Sequence, residues 1–520
     1  MAKPPEFYLQ MKKDHPELVS AYESLGKAAR GAGPLDDQVQ ALVKLGLSIG
    51  GGMEGSTHSS TRKALAAGCS EEQIRHAVLL AVTTLGFPSM MRARAWVEDV
   101  LSKNAAATND ESEPPARGAD EGPLMSSRGR TSARLEHLSE SWIREMTRVA
   151  LECGAVNLSQ GYPDFDPPPE VREAAAKAVL EGPNQYAVTW GLAELREAIA
   201  ENLKRRYAPA FDWLDPDLHI TITCGVTEGI VAALMAIAEP GDEVIIIEPA
   251  HENYTPAVRF AGAEPVYMPL LPPRYELDIE RLRAAITPRS KAVILNTPHN
   301  PSGRVLNREE LLGVAELCIE HDLVAVTDEI YDRILYDGRE HIPLATLPGM
   351  DERTITVGGL SKTFAITGWR LGFFVAREPW ATGTRTVHDF TTICAPTPLQ
   401  AAGAAAYSLG EDFYARQLED YHARRDLMME ILAETGFTTG GTPEGAYYIM
   451  AGYEDWNHPG ESNDFALWLA REVGVAVVGG SHFYNTPGLG ERQVRFAFAK
   501  KLETLEEARE RLLAGIKTRG

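Results

Sequence analysis

The sequence predicts two folded parts: an all-α domain at the start of the chain and a larger α/β domain with a mostly parallel sheet. Three observations predict this division. Short β-branched runs alternate with amphipathic helices after residue 134, only helical periodicity occurs before residue 104, and the stretch between them is rich in Pro, Gly, Ser and charge. We therefore expect domains over residues 1–104 and 134–520, joined by a flexible linker over residues 105–133.

The clearest helix of the first domain lies in the stretch "GCSEEQIRHAVLLAVTTLGFP". Gly68 ends the preceding helix, and Ser70 forms a capping box with Gln73 at the start of the next one. Apolar residues recur at helical spacing from Ile74 onwards, and the pattern predicts that this helix continues until Pro88. The first domain is thus expected to be all-α.

Six short runs predict the strands of the second domain. They are "HITIT", "EVIIIE", "KAVILN", "LVAVTD", "TITVG" and "LGFFVA". Their near-continuous apolar character is typical of parallel strands in a sheet that helices cover on both faces. Ligands of such sheets bind beyond the carboxyl ends of the strands, so the residues that follow each run are candidate site residues.

The composition excludes several classes of function. The chain has 51 Lys and Arg against 73 Asp and Glu, and a net charge of −22 argues against a nucleic-acid partner. Its five cysteines include no C-x-x-C pair, which predicts reduced thiols and no metal site. No segment approaches the roughly 20 apolar residues of a membrane-spanning helix. We expect no membrane association, a cytoplasmic location and small-molecule substrates.

Two of the candidate positions suit phosphate binding and hydrogen bonding. A glycine turn after "HITIT" leads into a helix that begins at Val226 and Thr227, and the N-terminus of a helix attracts phosphate. After "KAVILN", Asn300 lies between two prolines that stiffen its loop. Taken alone, each position is also consistent with a plain turn.

The next two strands lead to an acid and to an amine. Asp328 follows "LVAVT" and Tyr331 comes shortly after it; carboxylates are rarely buried unless they have a partner. Lys362 follows "TITVG", with Ser361 before it and Arg370 further along the chain. A buried lysine has a depressed pKa and can act as a nucleophilic amine.

Together these groups fit pyridoxal phosphate, an aromatic aldehyde that carries a phosphate. Lys362 would form a Schiff base with the aldehyde, and Asp328 would keep the pyridine nitrogen protonated. Asn300 and Tyr331 would donate hydrogen bonds to the phenolate oxygen of the ring. The expected phosphate ligands are Arg370, Ser361 and the helix start at Val226 and Thr227.

The motifs of the second domain agree with this prediction. In chain order they are "LSQGYPDF", "NQYAVTWGLAELREAI", "NTPHNPSGRV", "TDEIYDRI", "SKTFAITGWRLG" and "VRFAFAK". From about residue 135 to the end, the chain resembles the class I/II aminotransferases of pyridoxal-phosphate fold type I. The resemblance is to the branch of kynurenine and methionine aminotransferases and aminocyclopropane-carboxylate synthases. It implies a large domain around the central sheet and a smaller C-terminal α+β domain.

The resemblance also implies roles for individual residues. Lys362 would form the internal aldimine and move a proton between the substrate α-carbon and the cofactor. Arg495 in "VRFAFAK" would bind the substrate carboxylate beside Asn300 and the backbone of Gly161. Tyr186 would reach the phosphate of the neighbouring subunit, so a homodimer is expected.

Three positions depart from the pattern of the family. His251 stands where relatives place an aromatic ring on the cofactor, and it could either stack only or also exchange a proton near neutral pH. Gly359 stands where relatives usually carry a phosphate-binding serine. Gly479 stands where relatives commonly have proline, which predicts either a looser loop or an enlarged site.

The first domain resembles the carboxymuconolactone decarboxylase and alkylhydroperoxidase-D-like family over roughly residues 15–102. Peroxidase members use a C-x-x-C pair, and the matching positions are Met53 and Ser56, which excludes disulfide chemistry. Ser60 lies near the position where decarboxylase-like relatives have a histidine. Glu54 and His58, four residues apart on one helix face, could form an acid/base pair. The alternative is a catalytically silent domain that packs or oligomerises, which would allow higher-order assembly.

The expected activity is the transfer of the amino group of an L-amino acid to a 2-oxo acid. The alternative on the same scaffold is a lyase or a β/γ-replacement enzyme acting on S-adenosylmethionine or another large amino acid, because the same carbanion can also expel a substituent. A non-catalytic scaffold is a further alternative, which the complete set of cofactor-binding residues disfavours.

Overall fold

The computed structural model describes residues 31–51, 53–81, 87–107, 132–135 and 140–517, together with a few isolated positions outside these ranges. The chain divides into two compact units, Met1–Ser127 and Arg128–Gly520. The linker predicted over residues 105–133 falls outside the described residues except at its two ends. Its first three residues belong to the last helix of the first unit.

The described part of the first unit is helical. Its helices are α1 (Asp37–Gly50), α2 (Glu54–Ala66), α3 (Glu71–Leu79) and α4 (Phe87–Ala107). The capping box predicted at Ser70 and Gln73 is present. The prediction that this helix continues until Pro88 is wrong, because α3 ends at Leu79 and Pro88 lies in the first turn of α4. Proline is tolerated there since the first turn needs no backbone donor, and the apolar run across the break gives no signal of it.

The helices of the first unit share one apolar core. Each of the four helices contributes to it. The buried residues include Leu45, Ile49, Ala64, Ile74, Val78, Val97 and Leu101. Burial of one apolar stripe per helix is what the helical spacing in the sequence predicts.

The second unit alternates helices with strands. Its helices are α5 (Trp142–Cys153), α6 (Pro169–Glu181), α7 (Ala193–Tyr207), α8 (Pro216–His219), α9 (Val226–Ile237), α10 (Tyr254–Phe260), α11 (Ile279–Ala285), α12 (Arg308–Glu320), α13 (Trp380–Thr392), α14 (Thr397–Tyr407), α15 (Glu411–Glu434), α16 (Ser462–Trp468) and α17 (Leu502–Lys517). Side-chain caps fix several helix starts, such as Ser141 before α5 and Asn307 before α12.

Thirteen strands occur in the described part of the second unit. They are β1 (Val156–Asn157), β2 (Ile220–Thr223), β3 (Glu243–Glu248), β4 (Glu264–Pro269), β5 (Ser290–Asn296), β6 (Val324–Asp328), β7 (Thr354–Gly359), β8 (Gly372–Val375), β9 (Thr438–Thr439), β10 (Tyr448–Gly452), β11 (Val475–Ala476), β12 (Val478–Gly479) and β13 (Gln493–Ala497).

The central sheet has seven strands in the order β2-β8-β7-β6-β5-β3-β4. All neighbours pair in parallel except β8, which is antiparallel to β2 and β7. The six predicted runs correspond to β2, β3, β5, β6, β7 and β8, so the predicted mostly parallel sheet is confirmed. The edge strand β4 was not predicted, because "EPVYMP" begins with Glu-Pro and is only partly buried.

Two further sheets form the rest of the second unit. One is a four-stranded antiparallel sheet in the order β12-β13-β10-β9, and the other is the parallel pair β1-β11. The antiparallel sheet belongs to the smaller C-terminal α+β part that the sequence predicts. It carries Arg495 on β13, opposite Met450 of β10 and Val478 of β12.

The strand register brings chemically active residues to one edge of the central sheet. Asn296 at the end of β5 pairs with Asp328 at the end of β6, and Asp328 pairs with Val357 of β7. Lys362 follows β7, and the helix that starts at Val226 follows β2. The carboxyl ends of these strands therefore meet where ligands of such sheets bind.

None of the described helices is long and apolar enough to cross a membrane. The cytoplasmic location expected from the sequence stays a prediction.

Candidate active site

A cavity of about 430 Å³ opens at the carboxyl ends of the central strands. Eleven of the residues predicted from the sequence line it. They are Gly161, Val226, Thr227, His251, Asn300, Asp328, Tyr331, Ser361, Lys362, Arg370 and Arg495. Tyr186 is not among the lining residues, and its side chain is 78% exposed. The structure thus brings together every predicted site residue except the one assigned to a neighbouring subunit.

Lys362 places its amine inside this cavity. The Nζ atom donates a hydrogen bond of 2.7 Å to the carbonyl oxygen of Gly161. It also lies 5.8 Å from the ring centre of Tyr447 and 6.0 Å from that of Tyr331. Burial lowers the pKa of the amine, which favours the neutral, nucleophilic form.

Asp328 is a buried acid held in place by two donors. Tyr254 donates a hydrogen bond of 2.7 Å to Oδ2, and the backbone N–H of Ile330 donates one of 3.3 Å to Oδ1. Burial raises the pKa of Asp328 to about 6, although both hydrogen bonds act in the opposite direction. A cationic partner stabilises the ionised form of a buried carboxylate, and a protonated pyridine nitrogen would be such a partner.

Arg495 and Asn300 form a second buried group. The Nη1 atom of Arg495 donates a hydrogen bond of 3.0 Å to Oδ1 of Asn300, and Nη2 donates to the carbonyl of Ser159. The guanidinium lies over the rings of Tyr448 and Phe483, at 4.4 Å and 4.8 Å from their centres. Its buried Nε has no partner in the described part of the chain, so one donor remains for a ligand.

Tyr331 extends this group towards Lys362. Its hydroxyl lies 2.9 Å from the hydroxyl of Tyr448. Burial raises the pKa of Tyr331 well above its ordinary value, and the neighbouring Tyr448 adds to this effect. The Tyr331 side chain therefore stays protonated and remains a hydrogen-bond donor at neutral pH.

The start of α9 forms a concave site that suits an anion. Gly225 precedes the helix with a φ of 80°, and a Cβ atom at this position would lie 2.7 Å from Nη2 of Arg370. Arg370 itself has a left-handed backbone with a φ of 57°, which is uncommon for a residue other than glycine. The first-turn N–H groups of α9 lack intrahelical partners, and Val226 and Thr227 line the cavity together with Arg370.

Comparison with known proteins identifies the second unit. A family model described as aminotransferase class I and II matches residues 154–512. This chain belongs to that family. It is a pyridoxal-phosphate-dependent aminotransferase whose substrates are amino acids and 2-oxo acids.

Several relatives of this aminotransferase are similar along nearly their whole length. The probable N-succinyldiaminopimelate aminotransferase of Mycobacterium tuberculosis is 38% identical, covering 74% of this chain and 98% of the relative. Human kynurenine–oxoglutarate transaminase 3 is 35% identical, covering 74% and 90%. The methionine aminotransferase of Escherichia coli is 34% identical, covering 73% and 97%. These relatives are named as aminotransferases or transaminases, which does not favour the lyase alternative.

Solved structures agree with this family. The N-succinyldiaminopimelate aminotransferase of Mycobacterium tuberculosis superposes with a TM-score of 0.71 at 37% identity, covering 74% of this chain and 100% of that structure. The aspartate aminotransferase of Thermus thermophilus with maleate gives a TM-score of 0.69 at 36% identity, covering 75% and 100%. The predicted fold type I architecture is confirmed.

The donors and acceptors in the cavity of the aminotransferase fit pyridoxal phosphate. Lys362 is the only lysine among the described lining residues, which leaves one amine for the aldehyde. The buried acid Asp328 suits the ring nitrogen, and the concave site at Gly225 and Arg370 suits a phosphate. Asn300 uses Oδ1 to accept from Arg495 and keeps its Nδ2 donor free of other described side chains, as an oxyanion ligand would require.

His251 lines the cavity as a neutral imidazole. Burial, together with the positive charges of Lys362 and Arg495, lowers the pKa of His251 to about 4. The backbone N–H of Asn253 donates a hydrogen bond of 3.2 Å to Nδ1, so the proton of the neutral ring lies on Nε2. Of the two alternatives left open by the sequence, this geometry favours stacking without a change of charge near pH 7.

The two glycines that depart from the family pattern are closely packed. A Cβ atom at Gly359 would lie 3.0 Å from Cγ2 of Val226. A Cβ atom at Gly479 would lie 2.1 Å from Oδ1 of Asn463 and 2.9 Å from its backbone nitrogen. Gly479 is not among the residues that line the cavity, so it accommodates a close contact and does not enlarge the site.

Several residues of the site were missed by the sequence reasoning. Tyr254 orients Asp328, although it lies only three residues after His251, which the sequence analysis singled out. Glu252 beside it accepts hydrogen bonds from Ser141 and from His482, the latter at 2.9 Å. Despite partial burial, these donors hold the pKa of Glu252 at about 2. No local sequence pattern links residues so far apart along the chain.

The first unit matches a second family model. The carboxymuconolactone decarboxylase family model covers residues 16–99, as the resemblance implied. The Ser48 hydroxyl lies 3.0 Å from that of Ser56 and 2.9 Å from that of Ser60. His58 Nε2 lies 3.5 Å from Oδ2 of Asp99. The side chain of Glu54, its predicted acid/base partner, lies outside the described residues.

Proposed function

We propose that Lys362 carries pyridoxal phosphate and serves as the proton carrier of the amino transfer. The observation that supports this most directly is its amine, which has a lowered pKa and donates to the Gly161 carbonyl inside the cavity. When bound, pyridoxal phosphate supplies an electron-withdrawing ring that makes the α-hydrogen of an amino acid acidic. Lys362 would take that proton at Nζ and return it, since burial lowers the pKa of its amine and so favours the neutral form.

Asp328, Asn300 and Tyr331 are proposed to hold the ring. The Asp328 carboxylate, fixed by Tyr254, would keep a proton on the ring nitrogen. The Nδ2 donor of Asn300 and the hydroxyl of Tyr331 would donate to the phenolate oxygen. His251 would pack against one face of the ring as a neutral imidazole.

Arg495 is proposed to bind the carboxylate of the substrate. Its guanidinium cannot turn freely, because Asn300 and Ser159 accept from it and two aromatic rings sandwich it. A fixed planar fork with an unpaired Nε suits bidentate binding of a carboxylate. The backbone of Gly161, two residues after Ser159, would lie beside that carboxylate.

The phosphate site is proposed to need a second copy of the chain. Arg370, Ser361 and the start of α9 supply the ligands from one chain. Tyr186 is 78% exposed and does not reach the cavity of its own chain, which supports a role in the neighbouring subunit. Large apolar side chains are exposed on the same unit, as an interface requires. They include Val188, Phe390 and Ile393.

The amino donor is proposed to be an L-amino acid with a polar side chain. Gln160 and Glu252 line the cavity and make part of its wall polar. The named relatives act on different donors, among them N-succinyldiaminopimelate, kynurenine and methionine, so the family alone does not choose one.

A panel of donors tests this proposal. The purified protein with pyridoxal phosphate is offered aspartate, methionine, kynurenine, an aromatic amino acid or N-succinyldiaminopimelate, each with 2-oxoglutarate. We expect glutamate to form in equal amount to the consumed donor, fastest with a polar donor, and no reaction with Lys362→Ala. S-adenosylmethionine, offered in the same way, tests the lyase alternative. Formation of ammonia or of a cleaved product when no 2-oxo acid acceptor is supplied would overturn the transfer mechanism.

The N-terminal domain over residues 1–104 is proposed to be catalytically silent and to promote assembly. The Ser48 hydroxyl contacts those of Ser56 and Ser60. Ser56 holds one of the two positions of the C-x-x-C pair of peroxidase relatives, so this group supports no disulfide step. Deletion of residues 1–104 should leave turnover per site unchanged and reduce the number of subunits per particle, measured by light scattering. A loss of turnover without a change in assembly would contradict the proposal.

A further inference from the structure

A second buried lysine lies behind the loop that receives the amine of Lys362. Lys500 follows β13 and is buried. Its Nζ donates a hydrogen bond of 2.8 Å to the carbonyl of Tyr162 and a longer one of 3.5 Å to that of Gln160. The ammonium also lies 4.0 Å from the ring centre of Tyr162. A buried lysine is costly unless such partners satisfy it.

The two lysines share this loop of three residues, 160–162. Lys500 binds the carbonyls of its first and last residues, and Lys362 binds the carbonyl of the middle residue, Gly161, at 2.7 Å. Tyr447 donates a further hydrogen bond of 3.0 Å to the Gly161 carbonyl. Since all three loop residues line the cavity, an anchor on this loop also sets the position of the Lys362 amine.

The end of the loop is tied to the same part of the chain as Lys500. Asp164 accepts a hydrogen bond of 2.6 Å from the backbone N–H of Lys501 and one of 2.7 Å from the hydroxyl of Thr504. Residues 160–164 are therefore fastened to the start of α17 at several points. The loop is held from one side by this anchor and faces the cavity on the other.

Burial lowers the pKa of both amines. Burial and the nearby Lys362 bring the pKa of Lys500 to about 8, while Asp164 acts in the opposite direction. The charged and polar neighbours of Lys362 are Tyr448, Arg495, Asp328 and Arg370. Lys500 therefore bears on Lys362 through the loop that both lysines contact.

We propose that Lys500 is a positioning residue: it holds the 160–162 loop so that the Gly161 carbonyl accepts a hydrogen bond from the Lys362 amine. This rests on the proposed role of Lys362 as the carrier of pyridoxal phosphate. Neither the predicted motif roles nor the family match assigns a function to this second lysine.

The test is the rate at which the full chain, freed of cofactor, takes up pyridoxal phosphate at different pH values. Visible absorbance follows the uptake, and its midpoint in pH reports the protonation of the receiving amine. Three variants separate charge from anchoring: Lys500→Arg keeps the charge, Lys500→Gln keeps a donor without charge, and Lys500→Met keeps neither. Lys501→Met is the matched control, because Lys501 is adjacent and exposed.

We expect uptake to be about tenfold slower in Lys500→Met at every pH, because the loop that carries the Gly161 carbonyl loses the hydrogen bonds that anchor it. Lys500→Arg and Lys501→Met should match the wild type. Lys500→Met, without an anchor, should also raise the KM for the amino donor more than Lys500→Gln does, with a smaller change in kcat.

Equal uptake rates and equal KM values in the wild type and Lys500→Met would overturn the proposal. Thermal unfolding shows whether Lys500→Met folds; if it does not, the comparison of Lys500→Arg with Lys500→Gln decides, since arginine is long enough to reach the loop carbonyls and the shorter glutamine is not. Failure of the wild type itself to take up pyridoxal phosphate would instead contradict the role of Lys362, so the two failures are distinguishable.

Discussion

Replacing Asp328 with Asn should affect the cofactor-free and the cofactor-bound protein in opposite directions. Burial raises the pKa of Asp328 from 3.8 to about 6, so ionisation of this acid favours the unfolded chain. The stability provided by the neutral acid is complete below pH 3.8 and is lost as the pH rises through 6. At pH 8 the ionised carboxylate therefore costs the cofactor-free fold about 3 kcal/mol.

Asp328→Asn removes this cost and keeps one of the two hydrogen bonds. The amide oxygen can still accept from Tyr254, whereas the amide NH2 group then faces the backbone N–H of Ile330, whose 3.3 Å hydrogen bond is lost. We expect the cofactor-free variant to be more stable than the wild type at pH 8, by up to about 2 kcal/mol, because the lost hydrogen bond offsets about 1 kcal/mol of the gain. It should nevertheless bind pyridoxal phosphate more weakly, because the protonated ring nitrogen loses its anionic partner. Urea unfolding at pH 8 and equilibrium dialysis measure the two quantities.

Asp332→Asn is the matched control. Asp332 is also surrounded by protein, but its contact with Arg206 holds the pKa of its carboxyl below the ordinary value in spite of burial. Neutralising it should destabilise the protein with and without cofactor. The reasoning would be refuted if Asp328→Asn destabilised the cofactor-free protein at pH 8 as Asp332→Asn does.

Three further substitutions test other parts of the site. Gly225→Ala should weaken cofactor binding at least tenfold in equilibrium dialysis, because its Cβ would lie 2.7 Å from the Arg370 guanidinium; Gly338→Ala, also at positive φ but in open space, should bind normally. Gly479→Ala should lower the free energy of unfolding by about 1–3 kcal/mol, since a Cβ there would lie 2.1 Å from a side-chain oxygen; unchanged stability in urea would contradict this packing. His251→Phe should leave the pH dependence of kcat/KM unchanged between about pH 6 and 9, because the pKa of His251 near 4 keeps the imidazole neutral there. If the wild type lost activity towards pH 6 and the variant did not, His251 would change its charge in this range and the prediction would be wrong.

Much of this fold could be predicted because local patterns carry it. The apolar runs before Asp328 and Lys362 are long enough to specify buried parallel strands, and the rule that ligands bind at their carboxyl ends gave the location of the cavity. The capping box at Ser70 likewise depends only on neighbours along the chain. The end of α3 at Leu79 could not be predicted, because the apolar residues continue through the break.

The contacts between distant residues could not be predicted. The hydrogen bond from Tyr254 to Asp328 joins the start of α10 to the end of β6, and the bond from Ser141 to Glu252 joins the start of α5 to the cavity wall. Lys500 lies in a motif that was recognised for its arginine, yet its contacts with a loop more than 300 residues earlier appear only in three dimensions. Pattern and spacing report local structure, whereas these contacts depend on the packing of the whole unit.

The central claim is that Lys362 is the residue that carries pyridoxal phosphate. The most direct measurement is borohydride reduction of the full chain loaded with pyridoxal phosphate, followed by mass spectrometry of its peptides. We predict one pyridoxyl group per chain, on the peptide that contains Lys362, and none in Lys362→Ala. A pyridoxyl group on another lysine, Lys500 included, or no stable modification of the wild type would contradict the account.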